Sequence, residues 1–169
     1  EALADFEMAL SLKPDDLAIQ RNLGWLYLQQ KDFAKALVCY ERLLKASPGN
    51  GDALAGRGSS RSGLKDYAGA LADLEAARPR ASKSWRLQLR IGHLYFVRRE
   101  YLKADEILTA QLASDPKSEE TYYWRAQARA GLDRIPEAIA DFEACIACKG
   151  KRAAEAGRLL AETQRRLGQ

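Results

Sequence analysis

Alanine recurs through the chain at one interval of 34 residues, at Ala2, Ala36, Ala70, Ala104 and Ala138. Two further columns keep the same phase: Gly24, Gly58, Gly92 and Ala126, and Phe6, Tyr40, Leu74, Leu108 and Phe142, each four residues past its alanine. A period of this length belongs to repeat architectures, in which a supersecondary unit that cannot bury its apolar face alone does so by stacking on the next. Small residues let two helices approach closely once per unit, and the large apolar column fills the space beside that contact. Pro14, Pro48 and Pro116 then end the second helix of a unit.

Apolar positions at three-to-four spacing predict helices over residues 1–12, 17–29, 33–46, 51–63, 67–78, 85–98, 101–113, 119–131 and 135–148. Pro136 stands near the start of its helix, where a missing N–H does little harm. A tenth helix, 151–167, has Ala156, Leu160, Thr163 and Leu167 on one stripe and reads as a cap over the last apolar face. With 169 residues, 47% of them hydrophobic and 30% charged, the chain is long enough for one continuous core and needs no second domain. No apolar run approaches the ~18 residues of a membrane span, and no signal segment precedes the first helix.

The repeats can be compared with one another. Just before the glycine column stand Leu23, Arg57, Ile91 and Arg125; just before the large apolar column stand Cys39, Asp73, Ile107 and Asp141. The two sets change together, so that apolar meets apolar and arginine meets aspartate. If the sites face each other across a hairpin, a partly buried guanidinium requires a carboxylate, because an unpaired buried charge is costly. Two ion pairs inside repeats are therefore expected, Arg57 with Asp73 and Arg125 with Asp141, with Arg61 and Arg129 one turn later sharing the same carboxylates. Asp5 holds the matching place at the beginning of the chain.

Small residues at Gly24 and Ala36, aromatics at Tyr27 and Tyr40 and a proline at Pro48 give residues 17–50 a pattern that resembles a tetratricopeptide repeat. Blocks 51–84, 85–118 and 119–150 follow it less strictly, residues 1–16 match a second helix, and 151–169 form the capping helix of one continuous domain. The resemblance implies an all-α fold, a right-handed α-solenoid of about ten helices in stacked antiparallel hairpins. Glu1 falls inside a repeat, so the chain is expected to be cut from a longer array whose upstream helix carries an arginine for Asp5. A cytoplasmic setting is expected, with a periplasmic one as its alternative.

Catalysis finds no support in the pattern. The single histidine, His93, has no serine or cysteine partner in a recognisable motif, and the acids decorate solvated helix faces. Gly56, Gly58 and Gly63 lie within a repeated helix and lack the lysine and strand of a phosphate-binding loop. Cys145 and Cys148 form a CxxC near a helix end, at places held in other repeats mostly by apolar residues, so packing rather than zinc or a disulfide is expected. The chain is read as a non-enzyme without metal or cofactor.

The resemblance further implies that the inward faces of the first helices line a concave groove for an extended peptide or a partner helix. By phase this face carries Arg21, Trp25 and Leu28, then Ala55, Ser59 and Ser62, then Arg86, Leu89, Arg90, His93 and Phe96, and finally Tyr123, Gln127 and Ala130. The basic places of the carboxylate clamp found in some members fall on Arg21, Arg86 and Arg90, whereas its asparagine places hold Trp25 and Gly56, so that clamp is incomplete here. Between Ala76 and Arg99 stand seven basic residues and no acid, Arg78, Arg80, Lys83, Arg86, Arg90, Arg98 and Arg99, in a chain of net charge +4. The same stretch leaves the repeat pattern, with Pro79 early and Ser82 in place of the proline. The expected function is a protein-interaction scaffold favouring acidic peptides or partner subunits. Its alternatives are an assembly module of a larger bacterial secretion or polysaccharide-export protein, and binding of nucleic acid, which clustered cations attract irrespective of sequence. Trp85 and Tyr95 are read as packing residues rather than as base-stacking ones.

Overall fold

The computed structural model describes residues 2–13, 16–82 and 86–168; for Ala2, Leu3, Ala4, Glu7 and Leu167 it describes the backbone alone. Pro14, Lys83 and Trp85 therefore lie outside the described residues. Among the described residues ten helices run in chain order: α1 Ala2–Leu12, α2 Leu17–Gln29, α3 Phe33–Ala46, α4 Gly51–Gly63, α5 Tyr67–Ala77, α6 Leu87–Val97, α7 Tyr101–Ser114, α8 Glu119–Gly131, α9 Ile135–Ala147 and α10 Ala153–Leu167. Every expected helix is present with ends within two residues of those the pattern predicts, and no strand occurs among the described residues. None of the described helices is long and apolar enough to cross a membrane.

The chain divides into two compact units, Glu1–Leu87 and Gln88–Gln169. In the first, α1 to α5 pack successively, and α2 also touches α4. In the second, α7 packs on α8, α8 on α9 and α9 on α10, while α6 contributes Leu89 to a core shared with Ala104, Leu108 and Ala128. Ala156 on α10 joins Tyr123, Ala126, Phe142 and Cys145, and Leu159 and Leu160 pack against that cluster. The tenth helix thus covers the apolar face of α8 and α9. Of its expected stripe, Ala156 and Thr163 are buried and Leu160 is half-buried.

Helix starts are written in short polar side chains. Asp16 accepts from the backbone N–H of Ala18 and Ile19 ahead of α2, Asp32 from Lys35, Asn50 from Ala53 and Asp66 from Gly69. Each satisfies a donor that the first turn leaves open. The turns inside the hairpins share one backbone solution. Lys31, Lys65, Arg99 and Asp133, again 34 residues apart, have φ of 61°, 66°, 61° and 61°. The next N–H reaches back to the helix in each case, Asp32 to Tyr27, Asp66 to Arg61, Glu100 to Tyr95 and Arg134 to Arg129, all at 2.9 Å. This is a Schellman closure, and in the first two complete repeats the aspartate that completes it also caps the following helix.

The small column does what its spacing implies. A Cβ placed on Gly24 would lie 3.0 Å from the Tyr40 ring, one on Gly58 2.9 Å from the Leu74 side chain and one on Gly92 2.5 Å from that of Leu108. The two helices of these three hairpins therefore meet where one of them has no side chain, Ala126 takes that place against Phe142 in the fourth, and the large column occupies the contact.

Both expected ion pairs are formed. Arg57 donates through Nε to Asp73 Oδ2 at 2.8 Å and through Nη2 to Oδ1 at 2.6 Å; Arg125 repeats the fork on Asp141 with the same two lengths. Arg61 and Arg129 add a third donor to each carboxylate, at 2.8 and 2.9 Å. Both aspartates are buried, and in the apolar repeats Leu23, Cys39 and Ile91 are buried in turn. Arg129 also reaches Asp105 of the preceding repeat at 2.8 Å, and Arg134 holds that carboxylate's other oxygen at 2.8 Å. The departure around Pro79 has a local cause. Helix α5 has 11 residues where α3 and α7 have 14, because a proline offers no N–H to extend it. The Ser82 N–H is instead taken by Asp52 Oδ1 at 2.8 Å.

Two sets of stability measurements follow from this packing. Asp73→Ile alone should destabilise the chain by about 3 kcal/mol, since it strands two half-buried guanidinium groups. The triple variant Arg57→Leu, Arg61→Tyr and Asp73→Ile installs the apolar version of the contact and should recover most of that loss in urea unfolding. Glycine to alanine should change sign with position: Gly157, with open space around it, should gain about 0.5–1 kcal/mol of helix propensity, whereas Gly92→Ala should lose about 1–3 kcal/mol to overpacking against Leu108.

Candidate functional site

In the first unit the expected inward face is carried by α2 and α4. Arg21 is exposed, and the Trp25 indole is 52% exposed although tryptophan is a large apolar residue. On α4 the face is made of small residues: Ala55 and Ser59 are buried, and the Ser59 hydroxyl donates to the Ala55 carbonyl at 2.7 Å. Ser59 is a wall of this face rather than a projecting contact. Arg86, at the end of the unit, is exposed, with φ of 48°.

In the second unit α6, α8 and the start of α10 bring a set of rings and cations together. His93 lies with its ring centroid 4.2 Å from that of Trp124, Phe96 5.4 Å from it, and Tyr123 meets it edge-on at 4.9 Å. The guanidinium of Arg152 stands over the Tyr123 ring at 4.6 Å and the Trp124 ring at 5.3 Å, and donates to Glu155 at 3.0 Å. Arg152 is fixed from behind, since its own N–H donates to Glu119 Oε1 at 2.7 Å. Arg90, on the exposed side of α6, carries a second cation near His93.

Burial and charge set the protonation of this cluster. Burial, then the Arg152 charge, lowers the His93 pKa below its ordinary value; Glu120 opposes this and Arg90 adds to it. The Tyr123 phenol is pushed up to about 12, first by burial and then by its hydrogen bond to Glu155. Glu155 is lowered by that hydroxyl and by Arg152. Gln127 lies beside the same phenol, which its side chain approaches closely enough to lower the phenol's pKa slightly, and its amide nitrogen is buried.

Of the residues expected on this face, the structure therefore groups His93, Phe96, Tyr123 and Gln127 with Arg90 beside them, and places Arg21, Trp25, Ser59 and Arg86 in the other unit. Leu89 is a core residue. Trp124 and Arg152 were not anticipated. The signal for Trp124 is its column, which elsewhere holds Asn22, Gly56 and Arg90. Within the basic stretch, Arg78 pairs with Glu75 at 2.9 Å and Arg98 with Glu100 at 2.8 Å, so acids just outside it neutralise two of its charges. Cys145 is buried and its thiol is pushed up to about 12, chiefly by burial. Cys148 is exposed, its Sγ 3.6 Å from the Lys117 carbonyl. Among the described residues no cluster of histidine, cysteine and acid side chains could hold a metal ion.

Hairpins repeating every 34 residues, closed by one turn and stacked through one small-to-large contact, define a helical repeat protein. The chain has the fold of the tetratricopeptide repeat proteins, and residues 18–50 match that family directly. Among solved structures, one of MamA aligns over 90% of this chain and 90% of its own with a TM-score of 0.77 at 18% identity. YrrB, described as a TPR protein with an unusual peptide-binding site, aligns over 93% of this chain and 82% of its own with a TM-score of 0.76 at 20% identity. The Cut9–Hcn1 hetero-tetramer of the APC/C aligns over 99% of this chain but 33% of its own, with a TM-score of 0.82 at 16% identity. No curated protein matches the chain by sequence.

The His93 environment has a measurable pH consequence. Its pKa is lower in the fold than in the unfolded chain, so as pH falls below about 6.5 the unfolded chain takes up this proton first and stability drops. Above that pH the group contributes no pH dependence. Thermal unfolding of the wild type should lose more between pH 8 and pH 5.5 than that of His93→Gln, and the His93 ring proton should titrate below the ordinary histidine range in NMR.

Proposed function

We propose that this chain is a non-catalytic protein-interaction scaffold whose first helices receive a segment of a partner protein, with acidic segments preferred. The observation that carries the reading is the second unit's ring cluster, where the half-buried His93, Phe96 and Trp124 pack on the buried Tyr123 and are attended by Arg90 and Arg152. Rings of this kind give large contact area at small loss of side-chain freedom, and guanidinium groups beside them offer forked hydrogen bonds to carboxylates. In the first unit α2 carries the exposed Arg21 and Trp25, α4 beside it carries the small residues that include Ser59, and the exposed Arg86 adds positive charge. The description of YrrB, a structure of the same fold, as having a peptide-binding site is in keeping with this use of the repeats.

The test is a direct titration by fluorescence anisotropy with a labelled peptide of alternating glutamate and phenylalanine. Arg86→Glu with Arg90→Glu should weaken binding at least about tenfold, as expected for two lost charge-assisted hydrogen bonds, while helicity by circular dichroism stays unchanged. Equal affinity for wild type and variant would move the binding face elsewhere. Comparable binding of a single-stranded oligonucleotide, steeply weakened by salt, would replace a peptide ligand with nucleic acid.

A further inference from the structure

We infer that the ring cluster of the second unit couples ligand binding to a proton taken up by His93, so that this unit holds an acidic segment more tightly as pH falls from 8 to 5.5. The inference rests on the reading of this cluster as a surface for acidic partners. It adds a regulation that the reading itself does not contain.

His93 is the one histidine of the chain, and histidine is the side chain whose ordinary pKa puts its change of charge between pH 5 and 8. Its column reads Trp25, Ser59, His93 and Gln127, which share neither size nor charge. The columns that set the hairpin contact, by comparison, stay small or stay large throughout. Packing therefore does not call for an imidazole at this place. The ring is half-buried, with its centroid 4.2 Å from that of the Trp124 indole.

The charged groups around the ring come from separate elements: Arg90 from α6 itself, Glu120 from α8 and Arg152 from the turn ahead of α10. Arg152 stands over the same indole at 5.3 Å, and its N–H on Glu119 and its guanidinium on Glu155 hold it there. On α7, Asp105 is engaged with Arg129 and Arg134, Lys103 with Glu100, and Glu106 is exposed. The imidazole thus titrates between cations that cannot move away from it at no cost.

In the free protein burial, then Arg152 and Arg90, favour the neutral ring, and Glu120 opposes them. An acidic segment docked against Arg90 and Arg152 reverses this balance. Its carboxylates offset the cations that an imidazolium would face and add negative charge of their own near the ring. Docking also removes water, which acts the other way, but a half-buried ring has already lost much of its hydration. The charge effect is therefore the larger, and binding raises the His93 pKa. By linkage such a group strengthens binding as pH falls through its bound value, and the gain is complete below its free value. An opposite charge within ~4–6 Å moves a pKa by about one unit or more, and one unit corresponds to at most about tenfold in affinity.

The test pairs fluorescence anisotropy with NMR, using a labelled, end-blocked peptide of alternating aspartate and phenylalanine. Aspartate, with an ordinary pKa of about 3.9, stays ionised over the whole range. The peptide should bind the wild type about three- to tenfold more tightly at pH 5.5 than at pH 8, and His93→Gln should lose most of that difference. In the wild type the ring proton of the single histidine should titrate at higher pH with saturating peptide than without it. Should the variant fail to fold by circular dichroism, this titration decides alone. The same pH profile in wild type and folded variant, or a histidine titration that the peptide leaves unmoved or lowers, overturns the inference and leaves the scaffold reading standing. A peptide that binds at neither pH overturns both.

Discussion

The two helices of the first three complete hairpins are positioned by a missing side chain, and those of the fourth by the small Ala126. Because Gly24, Gly58 and Gly92 carry no Cβ, the facing helix can bring Tyr40, Leu74 or Leu108 to ordinary contact distance of the opposing backbone. That contact occurs once per repeat and at one level of the hairpin, so it sets both the separation and the axial register of the pair. The columns around it inherit their partners from this register. Arg57 meets Asp73 and Arg125 meets Asp141 because each stands one residue before the contact on its own helix.

The ionic and apolar forms of that neighbouring contact are alternative solutions to one desolvation problem. A half-buried guanidinium is tolerable when a forked carboxylate neutralises it and further donors fill the remaining lone pairs, and here a second arginine one turn later does so. In the second unit the same logic runs between repeats, since Asp105 takes Arg129 and Arg134 from the following hairpin. Charged residues that resemble a binding patch in the sequence are thereby accounted for as internal fastenings. Arg21, Arg86 and Arg90, by contrast, are exposed.

The fold was legible in the sequence to within two residues at every helix end, because the period is long, several columns share one phase and each column has a single physical task. The paired exchange of Leu23 with Cys39 for Arg57 with Asp73 was legible for the same reason: both partners belong to one repeat and vary together. Contacts that join different repeats were harder. Asp105 is anomalous in a column of Leu37, Leu71 and Ile139, but its partners come from the next hairpin, where no fixed offset advertises them. Trp124 and Arg152 escaped notice because the family face was transferred position by position. The ring cluster arises instead from a tryptophan in a normally polar or small column and from the turn before α10. Ser59 shows the opposite limit, for phase alone does not distinguish a side chain that projects from one that bonds back to its own helix.

The matched pairs also bear on how such an array can be recombined. An exchange that cuts within the turn of a hairpin, between α4 and α5 for example, would join an arginine-bearing helix to an isoleucine- or cysteine-bearing one and strand a charge in the interior. An exchange at the turn between repeats keeps each pair intact. In this chain even that boundary is not neutral where Asp105 reaches forward to Arg129, so the second unit's last two hairpins are heritable together rather than as separate modules. The segment around Pro79, by contrast, has its fastening to Asp52 behind it and lies beside the division between the two units.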